Sequence, residues 1–203
     1  MKIDKIVVGD YQTNCYVLTL NNNCIVIDPG DDYEKIQEKV GNKNIEAIII
    51  THYHFDHVGS LNNFKSKIID YKYKDGFYKI NDFEFNIIHT PGHKEDCITI
   101  YFEKEKIMFT GDFIFKNSIG RMDLEGGSIS DMKKSLKLIS KYDDDIIVYS
   151  GHGNDTTLKN EKNINKSIDP GSAACSDCSH FGGNRIKKCQ WAAYQQQGDQ
   201  WHN

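Results

Sequence analysis

The chain has 203 residues and a net charge of −4, with acidic and basic residues mixed along its length. That length suits one compact domain with a full apolar core, or one domain plus an appendage. The charge pattern argues against nucleic acid or an anionic membrane as the main partner, and no apolar run approaches transmembrane length. The opening "MKIDKIVVGD" carries charges where a secretory signal needs an apolar stretch. We therefore expect a soluble cytoplasmic protein, with no nucleic-acid or membrane partner.

Short β-rich runs dominate the first 168 residues. In chain order they are KIVVG (5–9), NCYVLTL (14–20), CIVID (24–28), IEAIIIT (45–51), FEFNIIHT (83–90), CITIYF (97–102), KIMFTGD (106–112) and DIIVYSG (145–151). Turn signals separate them, among them Asp28-Pro29-Gly30, Asn81-Asp82 and Pro91-Gly92. Two stretches carry apolar residues at helical spacing: DYEKIQEKV (32–40) and SISDMKKSLKLISKY (128–142), the latter with Ser128 or Ser130 as N-cap. Many strands and few helices predict two sheets packed face to face with helices outside. Cys15, Cys24 and Cys97 fall inside the strand runs and read as buried free thiols of a reducing compartment.

Composition changes near residue 168. Residues 169–203 hold four of the five alanines, both tryptophans, five of the seven glutamines and three of the six cysteines. We expect a compact domain over 1–168 and a distinct tail over 169–203, either flexible or vector-derived. Cys175, Cys178, His180, Cys189 and His202 supply ligand types for zinc there, but their spacing fits no standard finger.

Four of the apolar strands end in histidine or aspartate. His52, His54, Asp56 and His57 follow 45–51, His93 follows 83–90, Asp112 ends 106–112, and His152 follows 145–151. Strands ending on one edge of a sandwich would gather these groups. Imidazole and carboxylate are zinc ligands, and seven exceed the needs of one tetrahedral ion. His52 and His54 alternate, so an extended segment points both to one side. Asp56 and His57 are adjacent and point differently, which suits a second ion. A carboxylate can bridge two cations, and Asp112 is placed for that. Two ions about 3.5–4 Å apart can share a water whose pKa is lowered to about 7.

The pattern His52-x-His54-x-Asp56-His57, His93 in "HTPGH", Asp112 in "TGD" and His152 in "SGHG" resembles the metallo-β-lactamase superfamily, and within it the small glyoxalase II-like hydrolases. The resemblance covers about residues 1–160. It implies an α+β, αββα sandwich of two mixed sheets, with a binuclear site along one edge. By that resemblance His52, His54 and His93 hold one ion, Asp56, His57 and His152 the other, and Asp112 lies between. Two divalent ions are implied: Zn²⁺ first, Fe or Mn next. The implied reaction is hydrolysis of an acyl thioester, such as a hydroxyacyl-glutathione or one on a related thiol carrier, with Asp56 both ligating and orienting the attacking water. Related thioesterases have a basic residue where this chain has Arg121, which implies a substrate contact. An Arg121–Asp123 pair that merely shapes the loop is the competing reading. Asp28 matches a family turn and would support the site from behind, if it is not simply a turn residue. His89, separated from His93 by Pro91-Gly92, reads as structural.

Departures from the family matter too. Glyoxalase II enzymes with a helical C-terminal domain use it to bind glutathione, and no such pattern follows His152 here. Gly153-Asn154 replaces the usual aromatic after that histidine, and "GHKEDC" has Lys94 where Thr or Ser is common. The rival reaction is that of a mononuclear Fe(II) persulfide dioxygenase. A lactone hydrolase shares the ligand set. β-Lactam hydrolysis is disfavoured, because that branch commonly has Cys where Asp112 stands.

Overall fold

The computed structural model describes residues 1–164. One five-stranded sheet runs in the order β1 (Lys2–Val8), β2 (Thr13–Leu20), β3 (Asn23–Ile27), β4 (Asn44–Ile49) and β5 (Ile68–Ile69). The first three are antiparallel, whereas β3–β4 and β4–β5 are parallel. The second sheet contains β6 (Gly76–Ile80), β7 (Phe83–His89), β8 (Ile98–Phe102), β9 (Ile107–Gly111), β12 (Ile147–Ser150) and β13 (Thr156–Thr157), in the order β13-β12-β9-β8-β7-β6. A small hairpin of β10 (Ile114–Phe115) and β11 (Ser118–Ile119) pairs with neither sheet but packs Ile114 against the outer face of the second. The helices are α1 (Tyr33–Val40), α2 (Phe55–Val58), α3 (Ile129–Ile139) and α4 (Leu158–Ile164).

This is the expected αββα sandwich of two mixed sheets. Its layers follow from period-2 alternation within strands that are apolar on both faces. Ile25 and Ile27 of β3, with Ala47 and Ile49 of β4, point into the space between the sheets, where they meet Phe83, Phe85, Ile100, Phe102 and Phe109. The intervening Cys24, Val26 and Ile48 point outward and pack under Ile36 and Val40 of α1. On the second sheet Met108 and Val148 turn outward against Met132 and Ile139 of α3 and Leu158 of α4. Each fully buried Ile or Phe contributes about 1.5–3 kcal/mol over its exposed state.

All eight sequence-predicted strands and both predicted helices are present. Ser128 is the N-cap of α3, its hydroxyl accepting from the Asp131 backbone N–H at 3.2 Å. Cys15, Cys24 and Cys97 are free and buried, and burial raises all three thiol pKa values. Among the described residues no helix is long and apolar enough to cross a membrane. The domain boundary expected at 168 and the cysteines from Cys175 onward lie outside the described residues.

Topology sets where the site forms. β3 and β4 run parallel, as do β9 and β12. β7 is antiparallel to β8, which is antiparallel to β9, so β7 and β9 share a direction. The C-terminal ends of β7, β9 and β12 therefore open on one edge. A register shift between Tyr149 and Ser150 brings Ser150 opposite Gly111, skipping Thr110. Such a bulge re-aims the residues that follow it, here Asp112 and His152.

Candidate metal centre

The structure brings all seven sequence-predicted residues together at that edge. His52 Nε2 and His93 Nε2 lie 3.1 and 2.9 Å from His54 Nδ1. Asp56 Oδ2 lies 3.2 Å from His152 Nε2 and 3.6 Å from His57 Nε2. These are two three-residue pockets, and a third triad, His52–His57–Asp112, overlaps both; the ligand atoms within each triad lie within 4.8 Å of one another. Asp112 stands between the two pockets. Its Oδ2 is 3.6 Å from His93 Nε2 and 3.5 Å from His152 Nε2, and its Oδ1 is 3.3 Å from His57 Nε2.

Local structure explains the aim of each group. His54 is extended, with φ −75° and ψ 147°, and caps α2. Asp56 and His57 follow on the first turn of that helix, so neighbouring residues can serve the same pocket. Gly111 (φ +51°) and Gly151 allow the close approach of the strand ends. A Cβ on Gly151 would lie 2.2 Å from Asp112 Oδ1 and 2.7 Å from His57 Cε1.

Hydrogen bonds from behind orient the rings. His57 Nδ1 donates to Asp28 Oδ2 at 2.9 Å, and the other Asp28 oxygen accepts from the Thr51 N–H at 2.8 Å. His93 Nδ1 donates to the Arg121 backbone carbonyl at 2.7 Å. Thr13 Oγ1 donates to Asp56 Oδ2 at 2.9 Å. Such contacts select the tautomer and aim the opposite ring nitrogen into the pocket. Asn14 Nδ2 donates to the carbonyls of Ser150 and Gly153, tying the first sheet to the end of β12. Thr13 and Asn14 escaped the sequence reading. Their signal was two polar residues at the head of an apolar strand.

The charges divide the site. Burial, then the neighbouring His57, pulls the His52 pKa well below 6.5, and burial also lowers His54 and His93. These three are neutral imidazoles with lone pairs available. Burial opposes charge on His57 too, but Asp112 and Asp28 outweigh it and raise its pKa. Burial is likewise outweighed at His152, where Asp112 and Asp56 raise the pKa to about 9. Burial disfavours charge on Asp112 and Asp56, yet His57 and His152 hold both carboxyls below their usual range.

The donor set fits divalent cations. A tetrahedral zinc with bonds of about 2.0–2.1 Å keeps its ligand atoms roughly 3.3 Å apart, close to the separations among these nitrogens and oxygens. His57 Nε2 and Asp112 Oδ1 are buried and 3.3 Å apart, yet neither makes a hydrogen bond. An unsatisfied buried polar atom costs about 1–3 kcal/mol, and a shared cation removes that cost at both.

Other flagged residues lie at the periphery. The Arg121 guanidinium binds Asp123 through two hydrogen bonds of 2.8 and 2.9 Å and is half-exposed. His89 is bound to Asp75 and to the Tyr71 carbonyl, away from the cluster. Lys94 pairs with Asp96 at 2.6 Å, and Asp96 also accepts from the Tyr53 N–H between His52 and His54.

Two mixed sheets between helices, with a paired His/Asp cluster along one edge, define a metal-dependent hydrolase. The chain belongs to the metallo-beta-lactamase superfamily, whose family model matches residues 8–76 and 70–152. It is 29% identical over 205 residues to hydroxyacylglutathione hydrolase GloC of Haemophilus influenzae, covering 81% of this chain and 97% of that one. Among solved structures it is similar to BLEG-1 B3 metallo-beta-lactamase, with a TM-score of 0.78 and 28% identity over 83% of this chain and 100% of that one. It is also similar to the di-iron-bound form of TTHA1623, with a TM-score of 0.70 and 25% identity over 82% and 98% of the two chains.

Proposed function

We propose that the protein hydrolyses an acyl thioester at a binuclear centre. The observation that carries this reading is the position of Asp112, within 3.3–3.6 Å of His57, His93 and His152 and so between the two pockets. In this reading His52, His54 and His93 would hold one ion and Asp56, His57 and His152 the other, with Asp112 available to both. When bound, such ions lower the pKa of a water to about 7 and polarise a carbonyl oxygen.

The chain's own groups then supply orientation. The Asp56 carboxylate, steadied by Thr13, accepts a hydrogen bond from the attacking water and aims its lone pair at the carbonyl. Asp28 keeps the His57 ring fixed as charge moves across the site. The Arg121 carbonyl does the same for His93, while its guanidinium lies on the loop where an anionic part of the substrate would pass. Water adds to the carbonyl carbon, the C–S bond breaks, and a carboxylic acid and a thiol leave.

The likeness to the Haemophilus hydroxyacylglutathione hydrolase supports the thioester class. The second pocket, Asp56–His57–His152, favours a two-ion hydrolase over a one-iron persulfide dioxygenase. We assign zinc as the metal and a reducing, cytoplasmic setting, in keeping with the three buried thiols. The test is metal analysis of protein purified without added metal, followed by assays with thioesters, a lactone, a β-lactam and a persulfide. Two ions per chain and thioester turnover are expected. One iron with oxygen uptake on persulfide, or β-lactam turnover with inert thioesters, would overturn the reading.

A further inference from the structure

The Asp56 side of the centre opens into a cleft of about 290 Å³. Its walls come from the β1–β2 loop, the turn after β3 and the start of α2, and include Asp10, Tyr11, Thr13, Asp31, Phe55 and Asp56. Thr13 and Asp56 thus belong to both the cleft and the metal centre. Tyr11 and Phe55 meet edge to face, with ring centroids 4.8 Å apart. They are nonetheless 52% and 64% exposed, so two large apolar surfaces stand in water beside the reacting groups. The wall is stiff. A Cβ on Gly30 would lie 1.8 Å from the Asp56 carbonyl oxygen, so the turn is pressed directly onto α2.

Acidic side chains prevail on the inner face of this side. Asp10, Asp31 and Asp56 line the cleft, and among the described residues no lysine, arginine or histidine does. Lys35 sits behind the wall, 2.6 Å from the Asp32 carboxylate that accepts from the Gly9 N–H. Lys94 and Arg121 lie on the His93 side, where the Arg121 carbonyl holds the His93 ring, and Lys5, beside Gly153, is paired with Asp155 at 2.8 Å. A cleft of about 290 Å³ is larger than a small hydroxyacyl group and has room for the thiol half of a thioester.

We propose that this cleft is the subsite for the thiol carrier and that it selects an uncharged or cationic carrier over one bearing carboxylates. The proposal rests on the thioester reading above. Aromatic faces cover an apolar carrier chain and attract an ammonium group. Asp10 and Asp31 repel carboxylates and draw cations, an effect weakened by salt.

The experiment uses the metal-loaded full chain and one acyl group carried on three thiols: glutathione with its two carboxylates, uncharged N-acetylcysteamine, and the quaternary ammonium thiocholine. We expect kcat/KM to be about tenfold higher for the last two than for glutathione. Asp10→Asn with Asp31→Asn should shrink the thiocholine-to-glutathione ratio by about fivefold, the size of one or two exposed charge interactions. Tyr11→Ala with Phe55→Ala should raise KM for N-acetylcysteamine and thiocholine thioesters with kcat little changed, as expected for lost uniform binding. Glutathione as the best carrier, or an unchanged ratio in the Asn variant, would overturn the subsite while leaving the thioesterase intact. So would an altered oligomeric state with unchanged KM in the Ala variant. Inertness of all three thioesters would overturn the thioesterase reading itself, and the subsite with it.

Discussion

His57 Nδ1 lies 2.9 Å from Asp28 Oδ2, and both side chains are buried. The same oxygen accepts from the Thr51 hydroxyl at 2.6 Å, and its partner oxygen accepts from the Thr51 backbone N–H. One carboxylate at the end of β3 thus anchors both the start of the His52–His57 segment and the ring inside it. Asp28→Asn keeps the volume but replaces one acceptor by a donor. We expect affinity for the second ion to fall about ten- to hundredfold, with a stability loss of about 1–3 kcal/mol. Metal titration monitored by competition with a chelating dye reads the first, and thermal melting with excess ion reads the second. Unchanged ion affinity would show that Asp28 is only a turn residue.

Asp112 is the shared wall of the two pockets. Asp112→Ala should therefore empty both and abolish hydrolysis, whereas His152→Ala should spare the His52–His54–His93 pocket. Elemental analysis after gel filtration tells the two apart. Two ions retained by the Asp112 variant would rule out its position between them.

The two pockets should differ in their response to pH. In the metal-free protein Asp112 and Asp56 outweigh burial and raise the pKa of His152 to about 9, so it carries a proton at neutral pH, and the pKa of His57 is shifted in the same direction. An entering ion must displace that proton. Its affinity should rise as pH increases from about 6.5 towards about 9 and then level off. His52, His54 and His93 are already neutral at pH 7, so the other ion should release no protons from them. The linkage also acts on stability. The contribution of His152 to the metal-free fold is full below about pH 6.5 and fades as pH climbs to about 9. Calorimetric titration in buffers of different ionisation enthalpy counts the protons. Equal release at both sites would refute this division.

Among the described residues, the apolar clusters of the sandwich draw on none later than Leu158. We predict that a stop codon after Ile168 leaves metal content, turnover and melting temperature unchanged. A fall of more than about 5 °C, or on the order of 1 kcal/mol, would assign residues 169–203 to the fold. Loss of a third zinc would revive the Cys175–Cys178 pair as ligands.

What the sequence determined by itself was local and repetitive. Runs such as 45–51 and 97–102 are strands because β-branched and aromatic residues fill both faces, and 128–142 is a helix because its apolar spacing follows a serine cap. The ligand set was legible for a related reason: polar metal-binding types directly after apolar strands have no place in a core. Tertiary structure decided the rest. β5 and β13 are two residues each and take their form from the strands they pair with, and β6 is an exposed edge whose partner is β7. The Arg121 guanidinium faces Asp123 across two residues, a competition no spacing rule resolves. The roles of Asp28 and Thr13 depend on contacts 29 and 43 residues away. Such contacts form only when parallel strand ends and one bulge bring separate segments to a common edge, and a linear pattern does not encode that distance.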